Sequence, residues 1–277
     1  MSNITFVKTR HVYESYLDFW RLVKLSGFST IYVDEVDVSK YGVFIVCPCN
    51  GEWRPHIDNQ ADRVRNAHLV LWNLERPSGS AGSVGNYAKD NRELINKRQI
   101  DEIWVSDRRL ADETNLRFVV LGSHPKLGYP GDEKKYQFCH MSYETGRRTG
   151  IYKHFDKAQI GPNCWPPQRH QVLQQSKFAV NIHQDNHPFQ EPLRFALFAA
   201  YGLPIISETI YDVYPWGDST MKFSSWDGMS GKIKQMLGND YARWKQFGLG
   251  GRKLMTETYN FRKVVEQALE ESIRSWR

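Results

Sequence analysis

Short, continuous apolar runs separated by helix-periodic or polar stretches set the rhythm of this chain. Ile4 to Val7 reads as a strand, and residues 12–25 follow with Val12, Tyr16, Phe19, Trp20 and Val23 at helical spacing before Gly27 stops the helix. Residues 30–33, 43–47, 68–72, 102–105 and 117–121 read as five further strands. These runs are apolar throughout rather than alternating. That is the pattern of parallel strands covered on both faces. Right-handed βαβ crossovers join such strands into a doubly wound domain that binds ligands at the carboxyl ends of its strands.

The stretch from Gly122 to Lys135, rich in glycine, proline and charge, reads as a linker. Strand-like sequence resumes at Tyr136 to Met141, and Gly146-Arg147-Arg148 precedes a short helix running to Phe155. A strand over 178–183, a helix from Pro192 to Tyr201 and a strand over 203–207 form a second α/β unit. The last helix, 257–275, sets Phe261, Val264, Val265, Ala268, Leu269 and Ile273 on one face. The expected fold is therefore α/β, with two Rossmann-like, doubly wound parallel-sheet domains over residues 1–125 and 126–256, and a closing helix over 257–277.

Composition narrows the class. With 277 residues, 40% hydrophobic and 25% charged, the chain has the make-up of an ordinary globular protein of two small domains. The formal charge of +6 is interspersed, and it suits anionic ligands such as nucleotide sugars or nucleic acid. The apolar stretch from Leu193 to Ile206 is broken by Arg194, Gly202 and Pro204 and falls short of the about 20 residues a bilayer span needs, so no membrane span is expected. The opening residues show no secretory pattern. Cys47, Cys49, Cys139 and Cys164 lack zinc-ligand spacing, so no metal site is expected, and they suit a reducing, cytoplasmic location. The small-residue segment Ser78 to Gly85 matches no phosphate-binding fingerprint and reads as a flexible loop.

The chemistry concentrates in Ser176 to His183, Glu191 to Arg194, and Gly202 to Glu208. Pro192 fits the first position of a helix, and Gly202 the position just past its end. That helix would begin at the carboxyl end of the preceding strand, where free N–H groups and a positive dipole make an anion site. Arg194 in the first turn opposes the dipole. A bound diphosphate would remove the conflict, and an ion pair with Glu191 three residues earlier is the alternative. Glu191 can accept from ribose hydroxyls or simply stabilise the dipole.

Ser176, Lys177, Asn181, His183, Arg194, Gly202, Pro204, Ser207 and Glu208 together resemble the donor domain of GT-B glycosyltransferases, in the group 1 or spore-maturation-protein-like branch, whose compact members are often viral or bacterial modifiers. The motif covers about 35 residues, and Trp72 to Pro77 resembles a further phrase of that branch. Leu197 departs from it, since the branch carries glutamate at that position. The resemblance implies two domains facing across a cleft and a final helix returning to the first domain. It also implies a nucleotide-sugar donor, here expected to be a UDP-sugar, held by the second domain without a metal or other cofactor. Arg194, Lys177 and the helix N-terminus then stabilise the leaving diphosphate, with Arg147 and Arg148 as further candidates. His183 would touch phosphate or sugar, and Glu191 or Glu208 the ribose.

The general base would come from the first domain, from Glu75, His11 or Asp34, each placed after a strand. Lys8, Arg10, Arg54, Arg63 and Arg65 are compatible with DNA carrying hydroxylated bases, flipped from the duplex, while glycan and small-molecule acceptors fit as well. A sugar-nucleotide epimerase of the same fold and a non-catalytic nucleic-acid or nucleotide-binding module are the competing readings. A monomer or weak oligomer is expected.

Overall fold

A computed structural model describes residues 4–47, 53–60, 66–74, 91–97, 99–184, 188–217, 220–238 and 241–275. Glu75, the Ser78–Gly85 loop, Arg63, Arg65 and Cys49 lie outside the described residues. The chain divides into two compact units, residues 1–120 with 262–277, and residues 121–261. No helix among the described residues is long and apolar enough to cross a membrane.

The first unit holds six parallel strands: β1 (Ile4–Lys8), β2 (Ser29–Tyr32), β3 (Gly42–Val46), β4 (Ala67–Asn73), β5 (Glu102–Val105) and β6 (Arg117–Phe118). Their spatial order is β2-β1-β3-β4-β5-β6. Helices α1 (Leu17–Leu25), α2 (Trp53–Asp58) and α3 (Arg108–Thr114) accompany them. The apolar runs are buried as expected of a sheet covered on both faces, with Val43, Ile45, Val46, Leu69, Val70 and Leu71 all in the core. Strand β6 is shorter than the apolar run 117–121 suggested. Val119 still donates to the Val105 carbonyl at 2.8 Å, and regular pairing then ends.

The closing helix, α9 (Phe261–Ser275), belongs to this first unit. Arg262 donates to the Ser26 carbonyl at 3.1 Å. Arg117 bridges Glu102 of β5, at 3.0 Å, and Glu271 of α9. The helix starts later than its periodicity indicated, because Leu254–Thr258 form a π-helical turn before it.

The second unit carries five parallel strands: β7 (Tyr136–Cys139), β8 (Ile160–Gly161), β9 (Ser176–Asn181), β10 (Ile205–Glu208) and β11 (Met221–Ser224), in the order β11-β10-β9-β7-β8. Its helices are α4 (Gly146–Tyr152), α5 (Gln168–Gln174), α6 (Pro192–Ala200), α7 (Trp226–Gly238) and α8 (Tyr241–Lys253). Phe138, Phe178, Val180 and Ile206 of the sheet pack with Met229, Ile233 and Met236 of α7. Helix α6 ends as its sequence dictates. Gly202, at φ 62°, sits past the C-cap, with Gly202 N–H on the Ala199 carbonyl at 2.8 Å and Leu203 N–H on the Phe198 carbonyl at 3.2 Å.

Gly122 and Ser123 lie against the segment that leads into α9. The Ser123 N–H is shared by the Met255 and Tyr259 carbonyls at 3.0 and 3.2 Å, and Phe261 N–H returns to the Ser123 carbonyl at 2.9 Å. A Cβ on Gly122 would overlap the Tyr259 carbonyl oxygen, which is backbone and cannot rotate away. Gly122→Ala is therefore expected to lower stability by about 1–3 kcal/mol, read as a shift of the urea midpoint. Gly231→Ala on exposed α7, where a Cβ meets open space, should instead raise it by up to about 1 kcal/mol.

Candidate active site

In the second unit the chain passes from β7 outward to β8, then returns across β7 to build β9 and β10 on the other side. The carboxyl ends of β7 and β9 thus flank the switch point of the sheet, where open α/β sheets take their ligands. Four segments deliver side chains there. His140 follows β7, Asn181 ends β9 and is succeeded by Ile182 and His183, α6 begins from the same connection, and Glu208 ends β10. The fifth contributor is α4, whose N-cap Thr145 accepts from the Arg148 N–H at 3.3 Å and so sets Arg147 and Arg148 in the first turn.

Hydrogen bonds fix these groups against one another. Arg148, buried, donates through Nε to the Ile182 carbonyl at 2.8 Å and through Nη1 to the Tyr143 carbonyl at 2.6 Å. Its Nη2 lies 3.8 Å from Glu191. Arg147 pairs with one oxygen of Glu208, and the other oxygen of that carboxylate accepts the His183 N–H at 2.7 Å. Arg194 pairs with Glu191 and donates to Asn181 Oδ1. Asn181 in turn donates to Ser207 Oγ at 3.0 Å, and that hydroxyl donates to the Glu208 carbonyl at 2.8 Å. Both Asn181 and Ser207 are fully buried, so the orientation of Arg194 is set from the core.

Several valences are left open. Pro192 contributes no N–H, the amides of Leu193 and Arg194 fall in the first turn where no intrahelical acceptor exists, and no side chain among the described residues caps the helix. Arg147 Nε, His140 Nδ1 and His183 Nδ1 are buried with no hydrogen-bond partner among the described residues. His183 Nε2 lies 3.2 Å from the Thr209 carbonyl, which can only accept. Nε2 therefore carries the proton, and Nδ1 is a lone-pair acceptor in the neutral ring.

Burial is the main cause that lowers the His183 pKa, and it pushes His140 down to about 4, with Arg194 and Arg148 adding repulsion. Burial also raises Glu208, against the opposing pull of the His183 N–H and Arg147. Three guanidiniums thus face two carboxylates and two neutral imidazoles. The excess is positive, and it lies at the positive end of α6.

Of the residues singled out from the sequence, Arg147, His183, Glu191, Arg194 and Glu208 come together here. The Arg194–Glu191 pair is present, and Asn181 holds the same guanidinium. Lys177 does not join them. It is the second residue of β9, four before Asn181 and roughly 13 Å away along the strand, with its ammonium 6.0 Å from the ring of Tyr241 in α8. In the first unit, His11 lies exposed just past β1, edge-on to Tyr13 at 5.1 Å. Asp34, past β2, is held by the Arg10 guanidinium at 3.1 and 2.9 Å, which lowers its pKa and weakens it as a base. Glu75 lies outside the described residues. His140 was missed, although it stands after a strand just as His183 does.

A family model described as glycosyl transferase-like matches residues 98–270, well over half of the chain. The chain belongs to this glycosyl transferase-like family. No curated protein sequence matches it. Among solved structures, HepE from Anabaena, crystallised with UDP-glucose, is similar at TM-score 0.65 and 9% identity over 98% of this chain and 100% of that one. The T4 phage β-glucosyltransferase is similar at TM-score 0.53 and 12% identity, over 97% and 99%. TarM is similar at TM-score 0.59 and 14% identity over 82% of this chain, which spans 54% of that one. At these identities the likeness speaks for the fold, which is that of the GT-B glycosyltransferases.

The buried histidine has a measurable signature. An unfolded His140 takes up its proton near pH 6.5, whereas the folded one holds out to about 4. Stability is therefore lost as pH falls through this window, by up to about 3 kcal/mol for this one group. His140→Phe keeps a ring beside Tyr152, whose centroid is 4.3 Å away, and cannot charge. Urea titrations at pH 7 and pH 4 should show wild type losing more stability than the variant by about that amount. Equal losses would mean that the imidazole is not desolvated.

Proposed function

We propose that this chain is a glycosyltransferase that moves a sugar from a nucleotide-sugar donor, a UDP-sugar, to a hydroxyl acceptor, and that its second unit grips the donor diphosphate at the N-terminus of α6. The observation that carries the reading is the convergence of Arg147, Arg148 and Arg194 around a helix N-terminus that no described side chain caps, at the sheet's switch point. Membership of the glycosyl transferase-like family supports it, as does the likeness in fold to HepE, which was crystallised with UDP-glucose.

Breaking the anomeric C–O bond leaves its electron pair, and a growing negative charge, on the diphosphate oxygen. Arg194, Arg147 and the Leu193 and Arg194 amides are placed to stabilise that charge, with Arg148 adding its field from behind. Guanidiniums and a helix dipole supply the positive charge that a divalent cation would otherwise bring, so turnover is expected to need no metal. When phosphate oxygens take Arg194, Glu191 loses the nearer of its two partners and becomes available to the ribose hydroxyls. His183 Nδ1, an acceptor, suits a sugar hydroxyl rather than a phosphate oxygen.

We assign the acceptor side to the first unit, with His11 and Glu75 as candidates for the base. The charge of +6, with Lys8 and Arg10 at the end of β1, makes DNA bearing hydroxylated bases the first acceptor to try.

Incubation with UDP-, GDP- and dTDP-glucose, read by mass spectrometry with chelator present, tests the reading. An acceptor heavier by one hexose marks transfer, and a donor of unchanged mass whose sugar shows a new configuration by NMR marks an epimerase. Arg194→Ala should lower turnover at least about 100-fold while its thermal melt stays cooperative. Arg194→Lys, which keeps the charge but loses the fork that meets Asn181 and phosphate together, should fall between. Wild-type turnover in Arg194→Ala would sink the proposal.

A further inference from the structure

The loops beyond β7 and β8 present an aromatic pair that the diphosphate site leaves unused. Tyr143, after β7, is 65% exposed. Its ring centroid lies 5.6 Å from that of Trp165, after β8, with the planes tilted by 55°. An exposed tyrosine of this kind is ordinary, but a stiffened one beside an anion site is not.

Both loops are pinned. The Asn163 side-chain amide pairs with the backbone of Ser142, accepting from its N–H at 3.2 Å and donating to its carbonyl. The Tyr143 carbonyl takes Arg148 Nη1 at 2.6 Å. On the other side, the Arg169 guanidinium lies 4.9 Å from the Trp165 ring, and its Nε donates to the Cys164 carbonyl at 3.1 Å. Arg169 is itself buried, so Trp165 rests on a fixed support.

The pair also stands at a telling distance. One guanidinium, that of Arg148, touches the Tyr143 carbonyl and lies 3.8 Å from Glu191. Tyr143 is therefore joined to the arginine cluster by one hydrogen bond through its backbone, while its ring stands beside Trp165, on the β8 side of the switch point. A nucleoside diphosphate has the same plan: a flat π-face set off from its charges by one ribose.

We infer that Tyr143, backed by Trp165, is the stacking platform for the nucleobase of the donor. The inference rests on the donor reading of the arginine cluster. Stacking on an aromatic side chain tolerates any base, because every base has a π-face, and it adds enough affinity to be seen in a single substitution.

The test is calorimetric titration of the full chain with UDP, GDP and ADP, and with inorganic pyrophosphate measured by its competition against whichever nucleotide binds. Tyr143→Ala should weaken that nucleotide about ten-fold or more and leave pyrophosphate unchanged, while Tyr143→Phe keeps wild-type affinity. Unchanged nucleotide affinity in Tyr143→Ala overturns the platform and leaves the donor reading standing. Equal weakening of nucleotide and pyrophosphate also overturns it, since the Tyr143 ring would then act only by holding the loop whose carbonyl meets Arg148. If wild type binds neither nucleotide nor pyrophosphate, the donor reading itself has failed and the platform goes with it.

Discussion

A cation held in the first turn of its own helix is the constraint on which the second unit depends. Arg194 sits where the α6 dipole repels it. It stays because Glu191 neutralises it and Asn181 receives it. Asn181 can do so only because it is the last residue of β9, buried, with its other amide atom on Ser207 of β10. Two strands and a helix are thus tied at the one place where the sheet topology opens a crevice. The tie continues through Glu208 to Arg147 at the start of α4.

Local signals made much of this readable in advance. Pro192 and Gly202 bracket α6 because each solves a backbone problem specific to its end of a helix. The continuous apolar strands announced parallel sheets. What stayed hidden was set by pairing across distance. Nothing near Arg147 says that Glu208, sixty-one positions on, will take its guanidinium, or that the other oxygen of that carboxylate will take the His183 amide. Lys177 shows the opposite failure. A motif fixes its position in β9 but not which end of the strand bears the ligand, and it lies at the amino end. Helices α7 and α8 carry glycines and many polar residues, and β8 is two residues long, so neither period nor run length marked them.

In the first unit, the same rule of looking past strand ends led to His11 and Asp34, and their surroundings separate them. Asp34 is bound to Arg10, and the Arg10 guanidinium also lies 3.9 Å over the Tyr32 ring. An acid whose proton affinity is lowered by a neighbouring guanidinium is a poor acceptor for a hydroxyl proton. His11 is exposed, with its ring edge-on to that of Tyr13 at 5.1 Å.

The departure at Leu197 bears directly on how the carboxylates divide their work. Leu197 is buried among the apolar residues of α6, and this chain has no acid at that position to offer a ligand. Glu191 and Glu208 remain. Glu208 has both oxygens engaged, and burial already raises its pKa, so withdrawing it from Arg147 and the His183 amide would leave a costly unpaired charge. Glu191 is the more accessible of the two, and its partners Arg194 and Arg148 are the groups a diphosphate would claim. A ligand that takes those guanidiniums hands Glu191 a reason to turn toward its hydroxyls. On this account Glu208 aims Arg147, and Glu191 exchanges one partner for another.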